Sequence, residues 1–99
     1  MSKFVVAAEQ LDEKKFIEYL DTQELGWWHW IGNFWLITNK TSTNITTRDL
    51  QEKVTELSSS PRNFVLEING EAHPPWHGFG PNTPPQDMFE WLHNTWDSD

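Results

Sequence analysis

The sequence predicts a single α+β domain in which one antiparallel sheet packs against two helices. Three observations predict this class. Short runs of β-branched and aromatic residues alternate with segments whose apolar residues have helical spacing. These elements follow one another as strand, helix, strand, strand, helix, strand. The chain has 99 residues, which suits one compact domain.

The first strand and the first helix lie near the N-terminus. Residues 4–8 form an apolar run without polar alternation, which is typical of a strand covered on one or both faces. In residues 12–22, apolar side chains fall at i, i+1 and i+4 from Phe16 among charged ones, so this segment is predicted as an amphipathic helix. Gly26 is its predicted stop.

Two aromatic runs in the middle of the chain predict a β-hairpin. Residues 27–31 and 34–38 flank Gly32 and Asn33, a pair typical of tight turns. One register that the pattern allows divides the rings between the two sides of the sheet, with Trp28, Trp30 and Phe34 on one and Trp27, His29 and Trp35 on the other. In either register, one side carries large rings that need cover.

The second helix and the fourth strand follow. Thr46 and Asp49 have the spacing of a capping box, and apolar residues then repeat at i, i+4 and i+7 from Leu50. A serine run before Pro61 ends this helix. Residues 63–68 alternate as a strand.

The remainder of the chain is predicted as a proline-rich loop and a C-terminal helix. Residues 71–85 hold five of the six prolines. Thr83 is the predicted cap of the third helix, Pro84 its first residue, and Gln86 completes the capping spacing. Residues 1–99 thus form one domain, with a core over residues 3–69 and the loop and helix over residues 70–99.

Taken together, these elements predict a ferredoxin-like βαββαβ sheet. Right-handed crossovers place both helices on the same face of such a sheet. The other face stays bare unless the C-terminal segment or a second subunit covers it.

Several local sequences support this prediction through a resemblance. They comprise residues 4–9, 28–30, 34–38, 63–68, 76–79 and 91–92. With this order of elements, they resemble the small ferredoxin-like proteins grouped with the CRISPR spacer-acquisition nuclease subunit and the VapD-type ribonucleases. The likeness is greatest to short bacterial relatives of that group.

The resemblance implies a candidate catalytic residue. In the nuclease members, an Asp at the end of the first strand holds a catalytic metal at a dimer interface. The matching position here is Glu9, whose carboxylate is one methylene further from the backbone. A hard divalent cation accepts Glu as a ligand, so Mg²⁺ or Mn²⁺ is the cofactor that the resemblance implies.

The histidines are weaker candidates for metal binding. His73 and His77 are four residues apart, but two prolines between them prevent a regular helix, so the usual helical pair of ligands does not apply. A site built from histidines and Glu71 is one alternative. The other is that histidines such as His29 and His93 pack among aromatic rings, and from the residues alone no cofactor is expected.

Seven tryptophans are the most unusual feature of the composition: Trp27, Trp28, Trp30, Trp35, Trp76, Trp91 and Trp96. Exposed rings on a sheet stack bases of single-stranded nucleic acid only beside a cationic groove. The chain has seven basic and fifteen acidic residues and a net charge of −8. Nucleic acid is therefore disfavoured as a partner, and the rings are predicted as core or interface contacts.

Two absences in the sequence exclude further classes. Without cysteine, disulfide frameworks, thiolate metal sites and cysteine nucleophiles are excluded. No apolar stretch approaches the ~18–20 residues that span a bilayer, and the first residues lack a signal-peptide core. We therefore expect a cytoplasmic protein without a membrane partner.

Three functions remain open. The first is a non-enzymatic oligomerisation or protein-interaction module, expected as a homodimer or bound to another protein. The second is a divalent-metal nuclease that uses Glu9 at a dimer interface. The third is an acidic inhibitor that imitates nucleic acid, since eight of the fifteen acidic residues but two of the seven basic ones follow residue 50.

Overall fold

Four antiparallel strands and two helices form the main body of the protein. The computed structural model describes residues 2–39, 44–68 and 80–97. In chain order the elements are β1 (Lys3–Ala8), α1 (Glu13–Thr22), β2 (Gly26–Trp28), β3 (Phe34–Thr38), α2 (Thr47–Leu57) and β4 (Asn63–Ile68). The strands lie side by side in the order β2-β3-β1-β4. The predicted α+β class with an antiparallel sheet is confirmed.

Both helices begin at side-chain caps. The Asp12 carboxylate accepts the backbone N–H of Lys15 at 3.2 Å. At α2, the N–H of Asp49 donates to Thr46 Oγ1 at 3.1 Å, and the N–H of Thr46 donates to Asp49 Oδ2 at 2.9 Å. The predicted capping box is therefore confirmed, with Asp in place of the usual Glu.

Helix α1 ends at Thr22, so the predicted stop at Gly26 is wrong. Glu24 adopts a φ of 58°, a left-handed conformation that terminates helices. Gly26 instead opens β2, where a Cβ would lie 3.0 Å from the Cγ2 atoms of both Thr38 and Thr95. The glycine therefore allows the C-terminal segment to approach the sheet closely.

The Gly26→Ala substitution is expected to destabilise the protein by about 1–3 kcal/mol, because it forces extra volume between two packed threonines. Chemical denaturation would measure the change in the free energy of unfolding. Gly32→Ala is the matched control, since no atom lies within 4 Å of the Cβ it would add. Equal stability of the two variants would contradict this account of Gly26.

One face of the sheet packs against α1 and α2. Its core contains Phe4, Val6 and Ala8 of β1, Trp35 and Ile37 of β3, and Phe16, Leu20, Leu50 and Val54 of the helices. Trp27 packs against this core, and the His29 ring stacks on Trp35 with a centroid distance of 3.7 Å. The predicted division of the hairpin rings is confirmed for these three residues.

The C-terminal segment packs on the opposite face. It consists of the short strands β5 (Asn82–Thr83) and β6 (Gln86–Asp87), helix α3 (Met88–Trp91) and a π-helical turn (Leu92–Trp96). Met88, Leu92 and Trp96 form a second buried cluster against Trp28 and Leu36. Of the two predicted covers for this face, the chain's own C-terminal segment therefore covers the half formed by β2 and β3.

The start of the third helix differs from the prediction. Thr83 lies in β5 and Pro84 in the following turn, so neither opens the helix. A residue that precedes proline is disfavoured in the α conformation, which keeps Pro84 out of a helix because Pro85 follows it. Asp87 is the cap instead, and its carboxylate accepts the N–H of Glu90 at 3.0 Å.

Candidate functional site

An exposed apolar strip lies on the second face of the sheet, beside the area that the C-terminal segment covers. We call it the β4 strip. It consists of Phe34, Phe64, Leu66 and Ile68, which are 37%, 65%, 43% and 38% exposed. The register places Phe64 opposite Ala7 and Leu66 opposite Val5, so the strip continues onto the small side chains of β1. A contiguous apolar surface of this kind is typical of interaction sites.

On β4, polar residues face helix α2 and apolar residues face away from it, which is the reverse of an ordinary half-exposed strand. The side that faces α2 carries Asn63, Val65 and Glu67. Asn63 is held there by hydrogen bonds, since its amide accepts from Gln51 Nε2 at 3.1 Å and donates to Thr55 Oγ1 at 2.9 Å. The apolar alternate residues consequently point away from the helices. A strand that meets solvent on one side normally turns its polar residues outward.

The outer edge of β4 is a second feature of this surface. Among the described strands, β4 pairs with β1 and has no neighbour on its other side. A strand edge presents N–H and C=O groups that can pair with another strand. The edge and the β4 strip together offer both hydrogen-bonding groups and apolar area to a partner.

Glu9, the predicted catalytic residue, lies directly after β1 in a shallow cavity of about 290 Å³. Its Oε1 is 3.8 Å from Arg62 Nη1, and Ser60 Oγ donates to its Oε2 at 3.5 Å. The Arg62 guanidinium is therefore a long-range, largely exposed ion-pair partner of the carboxylate. Within residues 2–39, 44–68 and 80–97, no three His, Asp or Glu side chains are grouped to hold a metal ion.

The histidines divide between described and undescribed parts of the chain. His73 and His77 lie outside the described residues, as do Glu71 and Trp76. His29 is a packing residue in the structure. Its Nδ1 is 3.0 Å from the Phe34 carbonyl oxygen, and its Nε2 is 3.3 Å from Glu13 Oε2.

The other six tryptophans occupy three kinds of environment. Trp35 and Trp96 are buried, each in a different core cluster. Trp27, Trp28 and Trp91 are half-buried, and the Trp27 indole N–H donates to Asp21 Oδ1 at 2.9 Å. Trp30 is 48% exposed between β2 and β3. Most of the described rings therefore pack inside the chain rather than forming an open platform.

A polar groove of about 490 Å³ separates the outer surfaces of α1 and α2. Tyr19 lies in it with the Lys53 ammonium 5.1 Å from the ring centroid, and Lys53 pairs with Glu56 at 2.7 Å. Burial raises the pKa of Tyr19 above its ordinary value of 10.0, and the nearby Asp49 carboxylate adds to this effect while Lys53 opposes it.

Because Tyr19 is the only tyrosine, phenolate absorbance reports this side chain alone. We expect it to ionise at a higher pH than a free tyrosine amide, and Asp49→Asn to lower its pKa. A raised folded pKa means that the stabilisation is complete below the unfolded pKa and is lost as the pH rises through the folded one. Glu18→Gln is the control, and a wild-type pKa at or below the ordinary value would contradict the prediction.

In comparisons with known proteins, no protein-family model, curated protein or solved structure is significantly similar to the chain. In the part of the chain that the structure describes, no helix has the length and apolar character needed to cross a bilayer.

Proposed function

We propose that this protein is a non-enzymatic interaction module that forms a homodimer through the β4 strip. The inverted orientation of β4 carries the proposal, because a second copy paired along β4 would place its own apolar side chains beside Phe64, Leu66 and Ile68 and reduce the area that the fold leaves exposed. Burial of apolar area is the dominant favourable term in most associations between proteins. The second copy is the occupant that we propose.

Strand pairing gives this dimer a simple geometry. Two β4 strands related by a two-fold axis run antiparallel, so their free edges pair and each contact occurs twice. The two apolar strips then lie side by side on the same face of a continuous sheet. The backbone groups at the edge of each protomer gain partners in the same step.

The distribution of charge supports self-association at this surface. Each chain carries a net charge of −8, which disfavours contact between two copies in general. The β4 strip contains no charged residue, and Glu67 lies on the opposite side of the strand. Two copies that meet along β4 therefore bring one acidic residue of each strand, Glu67, to the junction, on the face away from the strips.

We also infer a ferredoxin-like arrangement for the main body. The strand order, written from the other edge as β4-β1-β3-β2, supports it. Helices α1 and α2 contribute to one core on one face, as the two crossovers of that arrangement require. The relation to the nuclease group, a divalent metal at Glu9 and the acidic inhibitor remain predictions, and the Arg62 contact of Glu9 does not favour the nuclease.

The oligomeric state tests the proposal. Sedimentation equilibrium is expected to give a mass of twice 11.7 kDa for the natural sequence. Leu66→Asp places a carboxylate in the strip and is expected to weaken the dimer about a hundredfold or more, which is the size of a hot-spot loss. Circular dichroism would show that the variant is folded.

Ile31→Asp is the matched control, because Ile31 is 58% exposed on the connection between β2 and β3, outside the strip. It introduces the same charge and is expected to leave the dimer intact. A natural chain that stays monomeric at concentrations of about 1 mM, which means an association free energy weaker than about −4 kcal/mol, would overturn the proposal. So would equal weakening of the dimer by both variants.

A further inference from the structure

A second groove lies at the edge of the sheet farthest from β4. It has a volume of about 340 Å³ and lies between β2 and the C-terminal segment. Trp28 and Trp91 form its aromatic wall, with ring centroids 6.2 Å apart and planes inclined at 37°. Both rings are half-buried, so part of their surface remains available to a ligand.

The groove combines this aromatic wall with negative charge. Asp87 and Glu90 line it, and none of its lining residues is Lys, Arg or His. Asp87 is fixed in place because its Oδ1 accepts the backbone N–H of Glu90 at 3.0 Å. Indole faces and carboxylates attract the same kind of ligand, namely a cation with a flat or apolar surface.

We propose that this groove binds the guanidinium group of an arginine side chain from a partner polypeptide. The two ring centroids are too close for a planar group to insert between the indoles, so the cation stacks on the outer surface of the wall. A guanidinium is planar and weakly hydrated, and it stacks on aromatic faces while its N–H groups donate to carboxylates. A lysine ammonium is compact and strongly hydrated, which makes it the poorer ligand in a groove open to water.

The same aromatic cluster already holds one cation of the chain itself. Lys3 Nζ lies 5.5 Å from the centroid of Trp96, and Trp96 stacks on Trp91 at 6.0 Å. The Lys3 ammonium therefore contacts the cluster at Trp96. The proposed arginine binds at the other end of the cluster, formed by Trp28 and Trp91.

Short peptides test this inference directly. One carries a single arginine between glycines, and its partner carries citrulline, which is neutral and has nearly the same shape. Indole N–H resonances in proton–nitrogen spectra would report the binding. We expect the arginine peptide to shift the Trp28 and Trp91 resonances and to bind about three- to thirtyfold more tightly than the citrulline peptide, the range of a cation–π contact. A lysine peptide is expected to bind between the two.

Charge-neutral variants separate the groove from the overall charge of the protein. Asp87→Asn with Glu90→Gln removes both carboxylates, and asparagine keeps the helix cap. We expect this pair to weaken arginine binding about three- to tenfold. Glu18→Gln with Glu52→Gln makes the same change in net charge on the two helices and is expected to leave binding unchanged.

Three outcomes would overturn the inference: equal affinity for arginine and citrulline, no shift of the Trp28 and Trp91 resonances, or equal weakening by the two double variants. The test does not depend on the proposed dimer. Leu66→Asp is expected to bind the arginine peptide as the natural chain does. Failure of the dimer and failure of arginine binding are therefore distinguishable results.

Discussion

Replacement of Trp35 by alanine is expected to lower the free energy of unfolding by about 3–5 kcal/mol, the usual cost of removing a large buried aromatic side chain. Trp35 is 1% exposed. Its ring packs edge-on against Phe16 at 5.0 Å and stacks on His29 at 3.7 Å. The loss of the ring therefore opens a cavity between β3, α1 and the segment that connects β2 to β3.

This cost is large relative to the total stability of a small domain, which is about 5–15 kcal/mol. Urea denaturation followed by far-ultraviolet circular dichroism would measure it. Trp30→Ala is the matched control, because it removes the same side chain at a position that is 48% exposed. We expect that variant to change stability by less than about 0.5 kcal/mol. Similar losses for the two variants would contradict the assignment of Trp35 to the core.

Replacement of Trp96 by alanine is expected to cost about 3–5 kcal/mol within the second cluster and to release the C-terminal segment from the sheet. Trp96 is 5% exposed and shares its cluster with Met88 and Leu92. With three buried members, this cluster is much smaller than the main core. Fewer buried contacts therefore need to be lost before the segment detaches from the sheet.

Hydrogen exchange distinguishes local release from global unfolding. In Trp96→Ala, the amides of residues 88–97 are expected to lose protection while those of α1, α2 and β1 keep most of theirs. Glu90→Ala, on the same segment but exposed, is expected to retain the natural pattern. Simultaneous loss of protection throughout the described chain would contradict the view that the segment opens as a separate unit.

Features that depend on local spacing were predictable from the sequence. The capping box at Thr46 follows from side chains that reach nearby backbone groups. The buried positions Phe16 and Leu50 follow from helical periodicity, because one helix face must turn toward the sheet. These relations act over a few residues and need no knowledge of the remaining chain.

Features that depend on distant contacts were not predictable in this way. Alternation in residues 63–68 shows that β4 has two sides, but not that α2 would take the side with Asn63 and Glu67. The β4 strip was missed for that reason, although the alternation of Phe64, Leu66 and Ile68 was its visible signal. The grouping of Trp28 with Trp91 likewise required the C-terminal segment to fold back across the sheet.

Most of β3 is packed on both faces of the sheet, whereas β4 is packed on one. Tolerance to substitution is therefore expected to increase from β3 toward β4. Trp35 and Ile37 point into the main core, while Leu36 and Thr38 lie beneath the C-terminal segment. Random substitutions at residues 35–38 of β3 therefore meet packed atoms on either side. On β4, we expect changes at the exposed outward positions to cost little folding free energy, so natural variation or laboratory selection can alter the β4 strip while the fold is retained.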